Sequence, residues 1–521
     1  MSYTADEYDY AHAPLQYAVA QQADQRNSVL APVLLLVSLA LSFASWMGNG
    51  IPMMTDMAFG WMAVICTVTV CRELIYFPAR MRIGALILYG GTMVWFCHDY
   101  FSHWFAFDFN GVVVDYPPWV VAKGAFYTIL FVEFAALGML LPSGGWLERI
   151  FYRLPEPSEN RIYAWLILAA FVIGISPYFV FTSEPFYIAI FKSMVAMRSG
   201  EDTQWTVGRT GNLNYSWGGY VAQILQVGYV GGILAAFFAI MLSRGALSRV
   251  LCFAIWLFWT LTQFGTGSRG AVLFMILPVV GLVWIKYSAK ALEQLQMVSK
   301  RALLYTGISM GVALFGVQIQ GLFRTAGLRA ADLSKIELFK SEGNTMFSEG
   351  LIGYQLFPDA IPMPYDSFPG EGAARIMPAT AFRFAIGWIP RALWTNKPGI
   401  DDVGEYINQR MTGGNAANAG GGTVAMSVAG GTYVRYGSIA VAEIGLLFGW
   451  LCLCVQSALR PNLYRPFALL IVLGLCTWLF RSFRDLTPHD LYPLLIGAVA
   501  MTVLLKFMPN QAAPASEWNG Q

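Results

Sequence analysis

The sequence predicts an all-α polytopic membrane protein: about twelve transmembrane helices, with one large loop subdomain between the ninth and tenth. Three observations predict it: the composition, the length of the apolar runs, and the placement of basic residues between them. Of 521 residues, 56% are hydrophobic and 12% charged, and the mean hydropathy is +0.52. A soluble domain carries about 25% charged residues. A soluble chain of this length would divide into about two to four domains, and too little charge is present to cover their surfaces. Soluble enzymes, disordered chains and disulfide-rich secreted modules are thereby excluded. The net charge of +2 gives no general attraction to nucleic acid.

A helix needs about 20 apolar residues to cross the hydrocarbon. Runs of that kind lie near 29–48, 52–71, 83–99, 119–141, 162–182, 214–241, 248–265, 270–287, 302–321, 437–459, 465–481 and 490–508. The polar segment 1–28 has no basic start followed by a short apolar core, so no cleavable signal peptide is expected. The seven cysteines, at 66, 71, 97, 252, 452, 454 and 476, fall inside apolar runs or at their ends. They are read as small buried apolar residues rather than a disulfide framework or metal site.

Basic residues set the orientation. Arg72, Arg80 and Arg82 follow the second run, Arg149, Arg153 and Arg161 the fourth, and Arg244 and Arg249 the sixth. Lys286, Lys290, Lys300 and Arg301 follow the eighth, and Arg460 and Arg465 the tenth. Every even-numbered connection is short and basic, which places all of them in the cytoplasm, together with both termini, 1–28 and 509–521. Spans one to nine then occupy 29–321, an outward subdomain 322–436, and spans ten to twelve 437–508.

The long segment 322–436 contains an amphipathic helix candidate, GLFRTAGLRAADLSKIELFKSEG, a Pro-rich stretch and a Gly-rich stretch. Its aromatic residues, Trp388 and Trp394 among them, argue for a folded subdomain. A second outward segment, 183–213, holds EPFYIAIFKSMVAMR, an apolar helix with a basic end suited to the membrane interface.

By this topology 16 of the 33 Lys and Arg residues lie on the cytoplasmic side, and the other 17 lie outside or at outer span ends. Long loops escape the orientation rule, but short translocated turns do not. Arg269 sits in the tight turn GTGSRG, and Arg481 and Arg484 sit in LFRSFRDLTPHD. An anion held at the outer membrane boundary explains arginines in such turns, because the planar guanidinium fork matches phosphate oxygens and keeps its charge. Pairing with Asp485, Asp490 or lipid headgroups is the plainer reading of any single one.

FRFAIGWIPRALWTNKPG (382–399) and TVAMSVAGGTYVRYG (423–437) resemble the Wzy-type O-antigen and oligosaccharide repeat-unit polymerases. GTGSRGAVLFMILPVVGLVW (265–284) is similar to the Ser-Arg-Gly turn and following helix of that family, and LFRSFRD to its late arginine-bearing loop. Together these cover residues 251–500; the first half resembles the family in hydropathy and span count alone.

The resemblance implies a GT-C-like glycosyltransferase of the bacterial inner membrane. Its substrate would be an undecaprenyl-pyrophosphate-linked oligosaccharide, joined to an acceptor repeat unit on the periplasmic face, with no metal or other cofactor. A pyrophosphate leaving group needs cations rather than a general acid, and Arg269, Arg391, Arg481 and Arg484 are placed in that role. Arg410, Lys397 and Trp394 are further candidates for binding pyrophosphate or glycan. A base must take the proton of the acceptor hydroxyl; Asp485 and Glu405 lead, with Asp401, Asp402, Glu349 and His489 open. Membrane lipids, a chain-length regulator and a flippase are the implied partners. The family's RX10G pattern occurs once in the loop, as Arg410 to Gly421.

Two other classes compete. A flippase or transporter suits the span count but not the single large loop. An O-antigen ligase would carry a loop histidine, and the four histidines, His12, His98, His103 and His489, all lie outside 322–436. His98 and His103 in CHDYFSH are five residues apart, which does not place both on one helical face; they are read as part of an interfacial aromatic belt. Glu133 and Glu443 fall inside spans, where carboxylates are functional or hydrogen-bonded to another helix, and Lys123 lies near the outer end of the fourth. No Walker A, HExxH or DxD pattern stands out, so neither ATP nor a nucleotide sugar is indicated.

Overall fold

The computed structural model describes residues 14–77, 81–103, 106–109, 112–157, 160–180, 185–195, 218–243, 245–265, 269–293, 300–301, 303–309, 311, 346–356, 426–484 and 491–507. The chain is a polytopic helical membrane protein. Its first helices are α1 (Pro14–Met47), α2 (Pro52–Ile75) and α3 (Ile83–Thr92), which runs through a π turn (Met93–Cys97) into α4 (His98–His103). A two-stranded antiparallel hairpin, β1 (Ala106–Phe109) with β2 (Val112–Asp115), pairs Ala106 with Asp115; this pairing departs from the all-α expectation. Then come α5 (Pro118–Gly138), α6 (Trp146–Tyr152), α7 (Asn160–Ile175), α8 (Pro177–Val180), α9 (Phe186–Val195), α10 (Gly218–Met241), α11 (Ala246–Gly265) and α12 (Arg269–Glu293). α13 (Met346–Leu356), α14 (Val428–Tyr436), α15 (Ser438–Leu459), α16 (Pro466–Arg481) and α17 (Tyr492–Phe507) complete the order.

Among the described residues, eight helices are long and apolar enough to cross a membrane: α1, α2, α5, α7 continued by α8, α10, α11, α12 and α15. Two further apolar helices, α16 and α17, are shorter. Of the ninth predicted run, residues 303–309 and 311 are described, as helix.

Local chemistry starts several of these helices. Pro52, Pro118 and Pro466 each occupy a first helical position, where the missing N–H costs nothing and the fixed φ suits the helix. α5 and α10 are the most buried spans, with apolar residues spread around the whole helix rather than along one face. α5 packs on α15 through glycine: a Cβ at Gly449 would stand 1.8 Å from the Ala135 carbonyl oxygen, and one at Gly138 2.2 Å from that of Leu446. Backbones this close are the membrane form of tight helix packing, where dispersion replaces hydrophobic drive. Around α10, Gly228 and Gly232 accept the indole of the fully buried Trp259.

Short connections alternate between two ends of the bundle, and contacts identify each end. At one, Gly50 lies against the backbone of Pro118 and Trp119, Tyr100 donates to Asp56 at 2.6 Å, and the Val428 N–H donates to the Phe483 carbonyl at 2.9 Å. At the other, Arg465 donates to the carbonyls of Phe151 (3.0 Å) and Leu154 (2.7 Å), and Lys286 donates to the carbonyl of Ile240. The second end carries the short basic connections.

Candidate functional site

The sequence directs attention to two tight turns, GTGSRG and LFRSFRD, and the fold brings them together. Arg481 ends α16, and its guanidinium rests on the first turn of α12. A Cβ on Gly270 would meet Arg481 Nε at 2.6 Å, Cζ at 2.7 Å and Nη2 at 3.0 Å. Gly270 therefore keeps room for the guanidinium beside the backbone of Arg269. Arg481 Cζ also lies 5.7 Å from the Phe274 ring centroid, one turn into α12.

Phe483 anchors the second turn. It is fully buried, against Phe448 (5.0 Å between ring centroids), Phe96 (5.6 Å) and Phe131 (6.2 Å), and it presses on Gly91. With this ring held inside, the arginines on either side are carried at the rim, both partly exposed. Backbone bonds fix the turn: Trp95 Nε1 donates to the Phe480 carbonyl at 2.9 Å, and Arg484 N–H to that of Arg481 at 3.0 Å.

The described helices of the long segment dock at this end. α14 begins at Ser427, whose Oγ accepts the N–H of Gly430 at 3.1 Å. Gly350 of α13 packs on Ser427, where a Cβ would lie 2.9 Å from Oγ. The buried carboxylate of Asp99 accepts the Ser348 N–H (2.8 Å) and hydroxyl (3.3 Å), so α4 caps the start of α13. Gly124 admits Leu351 and Tyr354 against α5. Next to it Lys123, 2% exposed, places Nζ 4.9 Å from the Tyr433 ring and 6.0 Å from that of Trp46. Tyr127, Tyr354 and Tyr433 pack ring on ring, with Tyr127 and Tyr354 stacked at 5.6 Å.

Burial raises the hydroxyl pKa of Tyr100, and its bond to Asp56 raises it further. Burial likewise raises those of Tyr116 and Tyr354, whose Oη atoms are buried without a hydrogen-bond partner among the described residues. These hydroxyls stay neutral at physiological pH.

No protein-family model, functionally characterised protein or solved structure matches the chain.

Of the predicted site residues, Arg481 and Arg484 are described and flank one turn, and Arg269 opens α12 beside Arg481. The Arg269 side chain lies outside the described atoms, as do Arg391, Lys397, Trp394, Arg410, Glu405 and Asp485 altogether. Asp401, Asp402 and His489 fall there too. Glu349 stands on α13, partly exposed. Among the described residues no group of three or more His, Cys, Asp or Glu is placed to hold a metal ion. Glu133 is 1% exposed, with Oε2 unpartnered among the described residues, whereas Glu443 lies on the exposed face of α15. α9, expected along the interface, packs on the end of α11, with the Ser193 backbone against Gly265.

Asp99 and Lys123 hold the long segment to the bundle, and sequence reasoning gave them no such role. Each places a charge at the end of an apolar stretch, and that signal was present to be used.

Proposed function

We propose that the protein is a polymerase of undecaprenyl-pyrophosphate-linked oligosaccharide repeat units in the bacterial inner membrane. In this reading the chain has twelve spans, both termini are cytoplasmic, and 322–436 is periplasmic. One observation carries it: Arg481 lies against the start of α12 beside Arg269, at the end where α13 and α14 dock. Two turns far apart in sequence, each bearing an arginine, thus meet at one place. A pyrophosphate leaving group requires that, and topology signals alone do not.

The chemistry is a displacement at the anomeric carbon of the donor. The acceptor hydroxyl oxygen forms the new glycosidic bond, a carboxylate takes its proton, and the donor carbon–oxygen bond breaks to release undecaprenyl pyrophosphate. Arg269, Arg391, Arg481 and Arg484 bind the pyrophosphate and stabilise the charge that grows on it. Arg410, Lys397 and Trp394 bind the glycan or pyrophosphate, and Asp485 or Glu405 serves as base. No cofactor enters this scheme.

Purified protein incubated with one lipid-linked repeat unit, without ATP or metal, is expected to build a ladder of longer products. Arg269→Ala, Arg391→Ala or Arg484→Ala is expected to lower that rate by about a hundredfold or more, the scale of losing one charge-stabilising donor, while the protein stays in the membrane. Normal ladders from all three variants would overturn the arginine assignment. Unchanged substrate that crosses a vesicle bilayer would favour a flippase.

A further inference from the structure

Glu133 takes no part in the proposed chemistry, yet it is a carboxyl inside a span. It stands on α5 five residues before the end at Gly138, and Oε2 is buried with neither a hydrogen bond nor an ion pair among the described residues. Ser38 Oγ on α1 is buried and unpartnered in the same way. The two share one level of the α1–α5 seam. These helices are antiparallel, with the Trp46 ring 5.2 Å from that of Phe126 and 5.7 Å from that of Tyr127. From that contact Ser38 lies back along α1, and Glu133 forward along α5, by about 9–12 Å in each case. Toward the basic end the same seam holds a cleft with room for about one water. Ala136 and Leu140, which line it, stand three and seven residues beyond Glu133 on its face of α5. Ala31, also in the lining, stands seven residues before Ser38 on its face of α1. Thr69 and Tyr89 add hydroxyls to the wall, and Arg72 and Arg82, bonded to Glu73, form its rim. Such a wall offers a water the two to four polar partners it needs.

A carboxylate anion taken out of water with neither cation nor donor beside it is strongly disfavoured, and such a place holds the neutral acid. We propose that Glu133 is a proton-binding site, filled and emptied from the basic end of the bundle through the cleft. A proton arriving at the rim joins the cleft water, the water passes one to the Tyr89 hydroxyl, and Tyr89 gives its own to the Glu133 carboxylate; release reverses each transfer. Tyr89 lies within electrostatic reach of Cys66, Arg82, Glu133 and Arg72. Of the elements packed on α5, α2 thus presents Cys66, Arg72 and Glu73, and α3 presents Tyr89 after Arg82. α1 has no titratable side chain between Val29 and Met47, and α15 brings Cys452 and Cys454, with Glu443 on its exposed face. Glu349, Tyr354 and Tyr433, on α13 and α14, lie at the far end with Lys123 and Tyr127. The inference stands apart from the polymerase reading and does not depend on it.

The test uses the full chain in sealed membrane vesicles, with dicyclohexylcarbodiimide as probe. This reagent enters hydrocarbon and reacts with a protonated carboxyl. The O–H adds across one C=N bond, oxygen to carbon and hydrogen to nitrogen, and the product rearranges to a stable N-acylurea with no atom lost. Peptide mapping by mass spectrometry reads the adduct at Glu133. The pH is set separately on the two sides, and a thiol reagent on Tyr464→Cys, in a chain whose native cysteines are replaced, reports which side the basic end faces. Labelling of Glu133 is expected to fall about tenfold for each pH unit above its midpoint on that side, and to ignore the pH of the other. Infrared spectra of the purified chain should show the carbonyl stretch of a neutral carboxyl, lost in Glu133→Gln; this band carries the test if the reagent does not reach the seam. Absence of both adduct and band, labelling independent of pH, or control from the opposite side would each overturn the proposal. Protection by sodium at constant pH would overturn it too, by assigning the carboxyl to a metal ion.

Discussion

At the scale of single residues, Phe483 and its arginine neighbours divide the work of one turn. The ring fills a pocket between Phe96, Phe131 and Phe448 and leaves no space at Gly91. Its removal both exposes apolar surface and opens a cavity in a packed interior. Phe483→Ala is expected to destabilise the protein by about 3–5 kcal/mol, measured by unfolding in mild detergent. Arg484→Gln, at the partly exposed rim, should change stability by about 0.5 kcal/mol or less. Equal losses from the two substitutions would show that the turn is not anchored by its ring. The contrast also separates a fold defect from a chemical one: activity lost in Arg484→Gln without loss of stability points to the charge itself. The arginines were legible in the sequence because a basic residue in a short turn expected on the outer side opposes the insertion signal. Phe483 was not, because one aromatic among 15% looks like any other until its neighbours are known.

At the scale of elements, the spans were readable because hydrocarbon demands a run of about 20 apolar residues, which is a one-dimensional property. What joins the elements was not readable. The π turn at Met93–Cys97 inserts a residue, which rotates the following turn by about 100° relative to an unbroken helix. Asp99 and Tyr100 are thereby buried while His98 stays exposed, an outcome that the spacing of CHDYFSH does not encode. Asp99 then caps a helix 249 residues away in sequence. Glu156 does the same for α16, accepting the N–H of Phe467 (2.7 Å), that of Ala468 (3.3 Å) and the hydroxyl of Tyr163. Its carboxyl pKa is nevertheless raised, because burial outweighs these bonds and the nearby Arg465. The folded state therefore binds the Glu156 proton more tightly than the unfolded state, whose carboxyl titrates near the ordinary value of about 4.3. The contribution to stability is full below that value and is lost as pH rises through the raised one. Thermal unfolding at a series of pH values should show the wild type gaining stability relative to Glu156→Gln as pH falls from about 7 toward 4. A constant difference across that range would contradict the raised pKa.

At the scale of the whole molecule, charge near one end of the bundle is organised differently from charge near the other. The basic end satisfies its arginines and lysines on carbonyls and on Glu73: Arg149 on Gly144, Arg465 on Phe151 and Leu154, Arg249 on Ser243, and Arg72 and Arg82 on Glu73. These residues close helix ends; in the proposed orientation they lie on the cytoplasmic side, where positive residues fix insertion. The opposite end instead sets Arg481 against a neighbouring helix start and buries Lys123 among aromatic rings. In the proposed orientation a cation in such a place opposes the insertion bias and needs a local reason. Long-range docking of α13 and α14 supplies one for Lys123, and the anion site is the proposed one for Arg481. The orientation implied by this asymmetry is open to direct measurement. In a background where the seven native cysteines, including exposed Cys71, are replaced, Ser102→Cys reports the end that carries Arg481 and Tyr464→Cys the basic end. Both positions are exposed. A membrane-impermeant thiol reagent added to spheroplasts is expected to label Ser102→Cys at once, and Tyr464→Cys only after the membrane is opened. Labelling of both from outside would break the two-ended arrangement itself. The reverse pattern would keep the fold but place the arginine site in the cytoplasm, where a periplasmic polymerase could not use it.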